Sequence, residues 1–226
     1  MLKAVIFDFD GVISDSEPSH FAATNKVLAD FGIQLSQEEY YAEYLGFTDY
    51  ELFEVVKERR KTDYKGASIE DLIAKKAVFF EETIRQTDHL IEGIPELIEK
   101  LKSSKVKIAI YSGALPADIK IMLEDSGLSD YFDVIVTADD VAKGKPDPQG
   151  YLLALEKLNG SDAAISAKQC VVIEDSHWGI VAAKKAGMKV VAVTNSYPAG
   201  ELKEADMIVD SVKHLKTGDL QKLCPD

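Results

Sequence analysis

Six short apolar runs, Ala4 to Phe7, Ile108 to Tyr111, Val134 to Val136, Val171 to Ile173, Val190 to Val193 and Met207 to Val209, are separated by segments with helical periodicity. No other feature of the chain restricts its fold as much. A strand that is apolar at every position is buried on both faces, which in turn requires a parallel sheet covered by helices on each side. The expected fold class is therefore α/β with a doubly wound parallel sheet. A sheet of this kind binds its ligands beyond the carboxyl ends of its strands.

One stretch breaks the alternation. From Ser16 to His89 the apolar residues, among them Ile69, Leu72, Ile73, Ala77, Phe80 and Ile84, recur at helical spacing, and no convincing strand appears. Ser36 with Glu39 and Ser68 with Asp71 read as capping boxes that start two helices, while Gly32, Gly46 and Gly66 mark breaks. The expected organisation is an α/β core of residues 1–15 and 90–226, with residues 16–89 inserted as an all-helical unit of four helices. Its two linkers, near Ser14 to Glu17 and His89 to Gly93, form a candidate hinge, and Pro95 suits the first turn of the helix that follows.

With 226 residues, 46% of them hydrophobic, the chain can bury a real core. No apolar stretch precedes Asp8 as a leader would require, and nowhere do eighteen apolar residues run together, so a cytoplasmic location and no membrane contact are expected. Cys170, inside an apolar run, and Cys224 show no ligand or redox spacing and read as reduced thiols. A net charge of −13 argues against nucleic acid as partner, because that binding is led by Lys and Arg neutralising phosphates. Nothing points to an obligate protein partner.

Asp8 and Asp10 close the first apolar run two positions apart, and strand alternation turns both carboxylates toward one small volume. Gly11 then lets the chain turn sharply. Taken singly these acids are also compatible with an Asx turn or a helix cap. Ser112 and Gly113 follow the second run and Glu174 and Asp175 follow the fourth, so all converge on one sheet edge. Between them, Pro146 fixes the chain after Lys145 within a turn-rich stretch, aiming an ammonium inward. Such a carboxylate cluster suits a hard cation.

The set Asp8-Phe9-Asp10-Gly11-Val12, then Ser112, then Gly144-Lys145-Pro146-Asp147-Pro148, then Glu174-Asp175-Ser176 with Gly179, resembles the haloacid dehalogenase superfamily, in its β-phosphoglucomutase-like phosphatase branch. The resemblance covers nearly the whole chain in order. It implies a Rossmann-like core with a helical cap, and a phosphatase acting on a small-molecule phosphate ester with Mg²⁺ as cofactor. It implies that Asp8 attacks the phosphoryl group and that Asp10 protonates the leaving oxygen and later activates water. Ser112 and Lys145 would offset phosphoryl charge. Mg²⁺ would be held by Asp8, the Asp10 backbone carbonyl, Glu174 and Asp175. Asp10 favours phosphoryl chemistry over carbon–halogen cleavage, because halide leaves without a proton.

The same resemblance makes His20, Gly46, Lys76 and Gly113 the expected substrate contacts. In β-phosphoglucomutases an arginine follows the cap's glycine step and grips a second phosphate, whereas Gly46-Phe47-Thr48-Asp49 puts an acid there, which would repel one. Gly113-Ala114-Leu115-Pro116 likewise replaces a polar, lysine-bearing stretch. These departures favour a monophosphate phosphatase. A sugar-phosphate mutase is the alternative, and a non-catalytic phosphate binder of the same fold comes third. Tyr40, Tyr44, Phe47, Tyr50 and Leu115 point to a leaving group less polar than a bisphosphorylated sugar, and Trp178 is expected to pack at the start of a core helix.

Overall fold

A computed structural model describes residues 1–45, 47–160 and 165–225. Its sheet has strands β1 (Ala4–Phe7), β2 (Lys107–Tyr111), β3 (Val134–Val136), β4 (Cys170–Glu174), β5 (Lys189–Val193) and β6 (Met207–Val209), all parallel, in the order β3-β2-β1-β4-β5-β6. The first strand thus lies at the centre and the order reverses beside it, which opens a crevice at the carboxyl ends of β1 and β4.

Every residue of β1 is buried, as its unbroken apolar run requires. Ala4 and Ile6 join Ala109, Val172 and Val190 in a cluster completed by α7 (Gln149–Asn159) and α8 (His177–Lys185). Val5, Phe7, Ile108 and Ile110, also fully buried, alternate to the other face, where α5 (Ile94–Ser103) packs against β2 and against α9 (Thr217–Leu223). The remaining core helix, α6 (Pro116–Ser126), starts on a proline that lacks only an N–H the first turn leaves unused. Pro95 sits in the first turn of α5 behind Gly93.

The chain divides into two compact units, Met1–Asp15 with His89–Asp226, and Ser16–Asp88. The second contains α1 (Glu17–Leu28), α2 (Gln37–Glu43), α3 (Asp49–Arg60) and α4 (Ile69–Ile84) around its own core of Leu28, Leu35, Tyr40, Tyr44, Phe53, Val56, Tyr64 and Leu72. Ser36 caps α2 by accepting the Glu39 N–H, and Ser68 with Asp71 forms a reciprocal box at α4. Within the first unit, the two chain crossings run antiparallel. Asp15 N–H donates to His89 O at 2.8 Å, Ile91 N–H donates to Ile13 O at 3.0 Å, and Ser14 Oγ meets His89 Nδ1 at 3.1 Å.

Among the described residues no helix is long and apolar enough to cross a membrane. Cys170 and Cys224 are free and buried, and burial pushes the Cys170 thiol up to about 12. Tyr40 and Tyr44 are core residues of the helical unit, which corrects their expected role at the substrate. Phe47, Tyr50 and Leu115 do remain exposed. Trp178 is 53% exposed and does not pack as expected.

Candidate active site

Asp8 directly follows β1, with its N–H bonded to Ile173 O on β4 at 2.9 Å. Phe9, Val12 and Ile13 are fully buried and anchor the next turn from below. The N–H groups of Ile13 and Ser14 converge on Phe9 O, and Gly11, at φ +78°, donates to Ser14 O at 2.7 Å. Phe9 is thereby turned into the core while its acidic neighbours Asp8, itself buried, and Asp10 lie at the carboxyl edge of the sheet. The structure brings Asp8, Asp10, Ser112, Lys145, Glu174 and Asp175 together at the carboxyl edge of the sheet.

Ser112 follows β2, is buried, and accepts the Ala114 N–H at 2.9 Å while its Oγ lies 3.5 Å from Asp10 Oδ2. It does not cap α6, whose N-cap is Leu115. Gly113 is exposed at the same edge. Lys145 lies in a turn closed by Asp147 N–H on Gly144 O at 3.0 Å and tied to α7 through Gln149 Oε1, which accepts from Ala142 and Lys143. Its ammonium donates to Asp8 Oδ1 and, at 2.6 Å, to Glu174 Oε1. The rings of Tyr111 and Tyr151 face the same ammonium at 5.2 and 5.6 Å, meeting each other edge to face.

Glu174, the last residue of β4, has no exposed surface. Besides Lys145, its carboxylate accepts from Tyr151 Oη at 3.2 Å, from the N–H of Asp175 at 2.9 Å, and from Ser176 N–H and Oγ at 2.8 and 2.9 Å. Ser176 Oγ in turn accepts the Gly179 N–H and caps α8. Gly179 is obligatory for this seating, since a Cβ there would overlap the Glu174 carboxylate.

These surroundings divide the acids. Burial would raise Glu174, but the Lys145 charge and hydrogen bond, with those from Ser176, carry it below the usual carboxylate range. Burial above all raises Asp8 well above that range, with Lys145 pulling it down and the charges of Glu174 and Asp175 pushing it further up. Asp175 is pushed up to about 7, by burial first and then by Glu174. Burial alone would lower Lys145, yet Asp8 and Glu174 hold it well above the ordinary lysine value, so it stays a cation.

Oxygens of Asp8, Glu174 and Asp175 lie within 4.8 Å of one another, all buried. Such a set of hard oxygen donors, carrying more negative charge than one lysine offsets, fits a divalent cation of the Mg²⁺ or Ca²⁺ type.

The helical unit holds a polar cluster of its own. His20 on α1 stacks on Phe80, with centroids 4.1 Å apart, and its Nδ1 lies 3.2 Å from Lys76 Nζ. Lys76, 3% exposed, is ion-paired with Asp49. Burial first, and then Lys76, pushes His20 down to about 3, so its ring is neutral. Gly46 lies outside the described residues. The sequence reading missed the loop after β5. There Ser196 Oγ donates to Asp175 Oδ2, and Asn195 Nδ2 donates to Gly11 O at 2.7 Å. Their one signal is position, a polar triplet Thr194-Asn195-Ser196 straight after a strand that ends on the same edge. The sequence reading also assigned no role to Tyr111, the end of an apolar run, or to Tyr151.

The family model for haloacid dehalogenase-like hydrolases matches residues 5–193. The chain belongs to that family. Among curated relatives of this hydrolase, a phosphorylated carbohydrates phosphatase of Thermotoga maritima is 34% identical over 88% of this chain and 89% of its own length. A β-phosphoglucomutase of Bacillus subtilis is 32% identical over 95% of this chain and 92% of its own. The crystal structure of CbbY from Rhodobacter sphaeroides in complex with phosphate superposes with a TM-score of 0.84 at 27% identity, covering 98% of this chain and all of that one. The hydrolase thus stands close to the β-phosphoglucomutase and CbbY members of its family.

Proposed function

We propose that this hydrolase is a Mg²⁺-dependent phosphatase of a phosphorylated carbohydrate or similar small monoester, working through a phosphoryl group carried on Asp8. The observation that carries the reading is the contact of the Lys145 ammonium with Asp8 Oδ1, in a crevice where Asp10, Ser112 and Asp175 also converge. Asp8 Oδ attacks phosphorus and forms an acyl phosphate. The bond from phosphorus to the ester oxygen breaks, and Asp10 gives that oxygen its proton. Water then attacks phosphorus, Asp10 takes back a proton, the bond from Asp8 to phosphorus breaks, and inorganic phosphate leaves.

Splitting the displacement this way replaces one difficult step by two easier ones. A carboxylate approaching a phosphate is repelled, so positive charge must be fixed beforehand. Lys145 supplies it from a position locked by Glu174 and the two tyrosine rings. Ser112 Oγ, 3.5 Å from Asp10 Oδ2, would donate a hydrogen bond to a phosphoryl oxygen. Mg²⁺, which Asp8, Glu174 and Asp175 would hold with the Asp10 backbone carbonyl, supplies further charge neutralisation at the nucleophile and the phosphoryl oxygens.

Within the helical unit Lys76 is already matched by Asp49, which favours a monophosphate over the doubly phosphorylated species a mutase handles. The substrates of the relatives support a carbohydrate: phosphorylated carbohydrates for the Thermotoga maritima protein, and fructose 1-phosphate for an Escherichia coli phosphatase 31% identical over 84% of this chain.

The test is phosphate release from a panel of phosphomonoesters, with Mg²⁺ present or chelated, comparing the native chain with Asp8→Asn. Metal-dependent release that Asp8→Asn abolishes is expected. Isomerisation of a hexose 1-phosphate on adding a bisphosphate primer, without phosphate release from any ester, would instead establish the mutase.

A further inference from the structure

The loop after β5 reaches across the sheet edge and touches both acid-bearing loops. Asn195 Nδ2 donates to the Gly11 carbonyl at 2.7 Å, inside the turn that carries Asp8 and Asp10. The adjacent Ser196 Oγ donates to Asp175 Oδ2, on the loop that ends β4. The three loops meet closely, because a Cβ on Gly11 would overlap Asp175 Oδ2 and stand 2.9 Å from Ser196 Oγ. Asn195 and Ser196 are themselves exposed, yet the Ser196 hydroxyl satisfies an oxygen of the buried Asp175. Their partners, in contrast, lie at the centre of the carboxylate cluster.

We infer that Asn195 and Ser196 form a positioning clamp that ties the Asp8–Gly11 turn to Asp175 and so sets the affinity of the carboxylate cluster for its divalent cation. The inference rests on the metal-dependent reading above.

The chemistry is that of an outer partner. A carboxylate on a flexible χ pair loses rotamer freedom when it ligates an ion, and a hydroxyl already bonded to one of its oxygens removes that loss in advance. Ser196 fixes Asp175 through Oδ2 and leaves Oδ1 for a ligand. Asn195 acts on the other side, holding the Gly11 carbonyl so that the turn cannot swing Asp8 and Asp10 away from Asp175. β5 supplies a rigid base, since it is hydrogen-bonded to β4 and to β6, and Thr194 N–H continues that ladder to Val209 O at 3.1 Å. Both residues are positioning residues, because neither is asked to touch the phosphoryl group.

The experiment titrates Mg²⁺ into the metal-free full chain by calorimetry and follows melting in chelator, for the native protein, Ser196→Ala, Ser196→Thr and Asn195→Ala. Ser196→Ala and Asn195→Ala are expected to weaken Mg²⁺ binding by roughly 10- to 100-fold. Melting of the metal-free protein should be unchanged, and Ser196→Thr, which keeps the hydroxyl, should restore the affinity. Native Mg²⁺ affinity in both alanine variants would overturn the clamp, as would an affinity loss that Ser196→Thr fails to restore. Native protein that binds Mg²⁺ yet releases no phosphate sinks the phosphatase reading, with the clamp still judged on affinity. Native protein that binds no Mg²⁺ sinks both.

Discussion

Replacing Gly179 by alanine sets two physical effects against each other. Helix propensity favours alanine over glycine by up to about 1 kcal/mol, here in the first turn of α8. Close approach opposes it, because the new Cβ would overlap the buried Glu174 carboxylate. That carboxylate is no flexible chain end, since Lys145, Tyr151, Asp175 and Ser176 all donate to it. Moving it away separates a buried ion pair, which costs about 3–5 kcal/mol. The net expected loss is about 2–4 kcal/mol, or roughly 5–15 °C in melting temperature for a chain of this size. Activity should fall too, because Glu174 anchors Lys145 and neighbours Asp175, and a displacement of about 1 Å at such groups costs on the order of 10²-fold. Gly200→Ala, where a Cβ meets nothing within 4 Å, is the control and should be neutral. Thermal melting and kcat/KM of both variants decide the matter. A Gly179→Ala protein that melts at or above the native temperature with full activity would refute this account of how Glu174 is held.

Other expectations concern charge. Asp175 carries a folded value of about 7 against an ordinary 3.8, so the metal-free fold is not penalised below pH 4 and loses stability as pH rises toward 7, by on the order of 4 kcal/mol from this group. His20, pushed down to about 3, runs the opposite way up to its ordinary 6.5, so the test compares native protein with Asp175→Asn in chelator, where that contribution cancels. From pH 5 to pH 8 the Asn variant should gain stability relative to native protein, and parallel curves would contradict the assignment. Lys145→Met leaves Asp8 and Glu174 without their shared cation, and should lower kcat by at least about 10²-fold in a steady-state assay. A variant that retains native kcat would show that the ammonium has no part in offsetting phosphoryl charge.

The sheet was legible because its strands are built on short, wholly apolar runs, and β1, β3 and β6 fall on the expected residues, although the edge strands β3 and β6 are only partly buried where burial on both faces was expected. The helical insert was equally plain from its 3.6-residue period, although Thr48 with Glu51, a reciprocal capping box at α3, went unnoticed beside Ser36 and Ser68. The convergence of Asp8, Asp10, Ser112, Glu174 and Asp175 followed from strand order, since each lies at or just after a strand end. Lys145 was harder, because a loop lysine announces nothing by itself, and only its Gly and Pro neighbours drew attention to it. What stayed hidden depends on packing across elements. Tyr40 and Tyr44 read as aromatics at the leaving group, yet they pack in a core with residues of α1, α3 and α4. The Tyr111 and Tyr151 rings reveal their role only once β2 and α7 stand side by side around Lys145. Asn195 and Ser196 belong to no recognisable motif, and their partners lie 184 and 21 residues away in sequence.

The central claim is that Asp8 carries the phosphoryl group, and rapid acid quenching of a single turnover, followed by peptide mass spectrometry, tests it most directly. The account predicts a transient phosphoryl group on the peptide containing Asp8, formed no more slowly than product appears and absent from Asp8→Asn. Full turnover with no phosphorylated protein at any time, or with the group on a different residue, would contradict it.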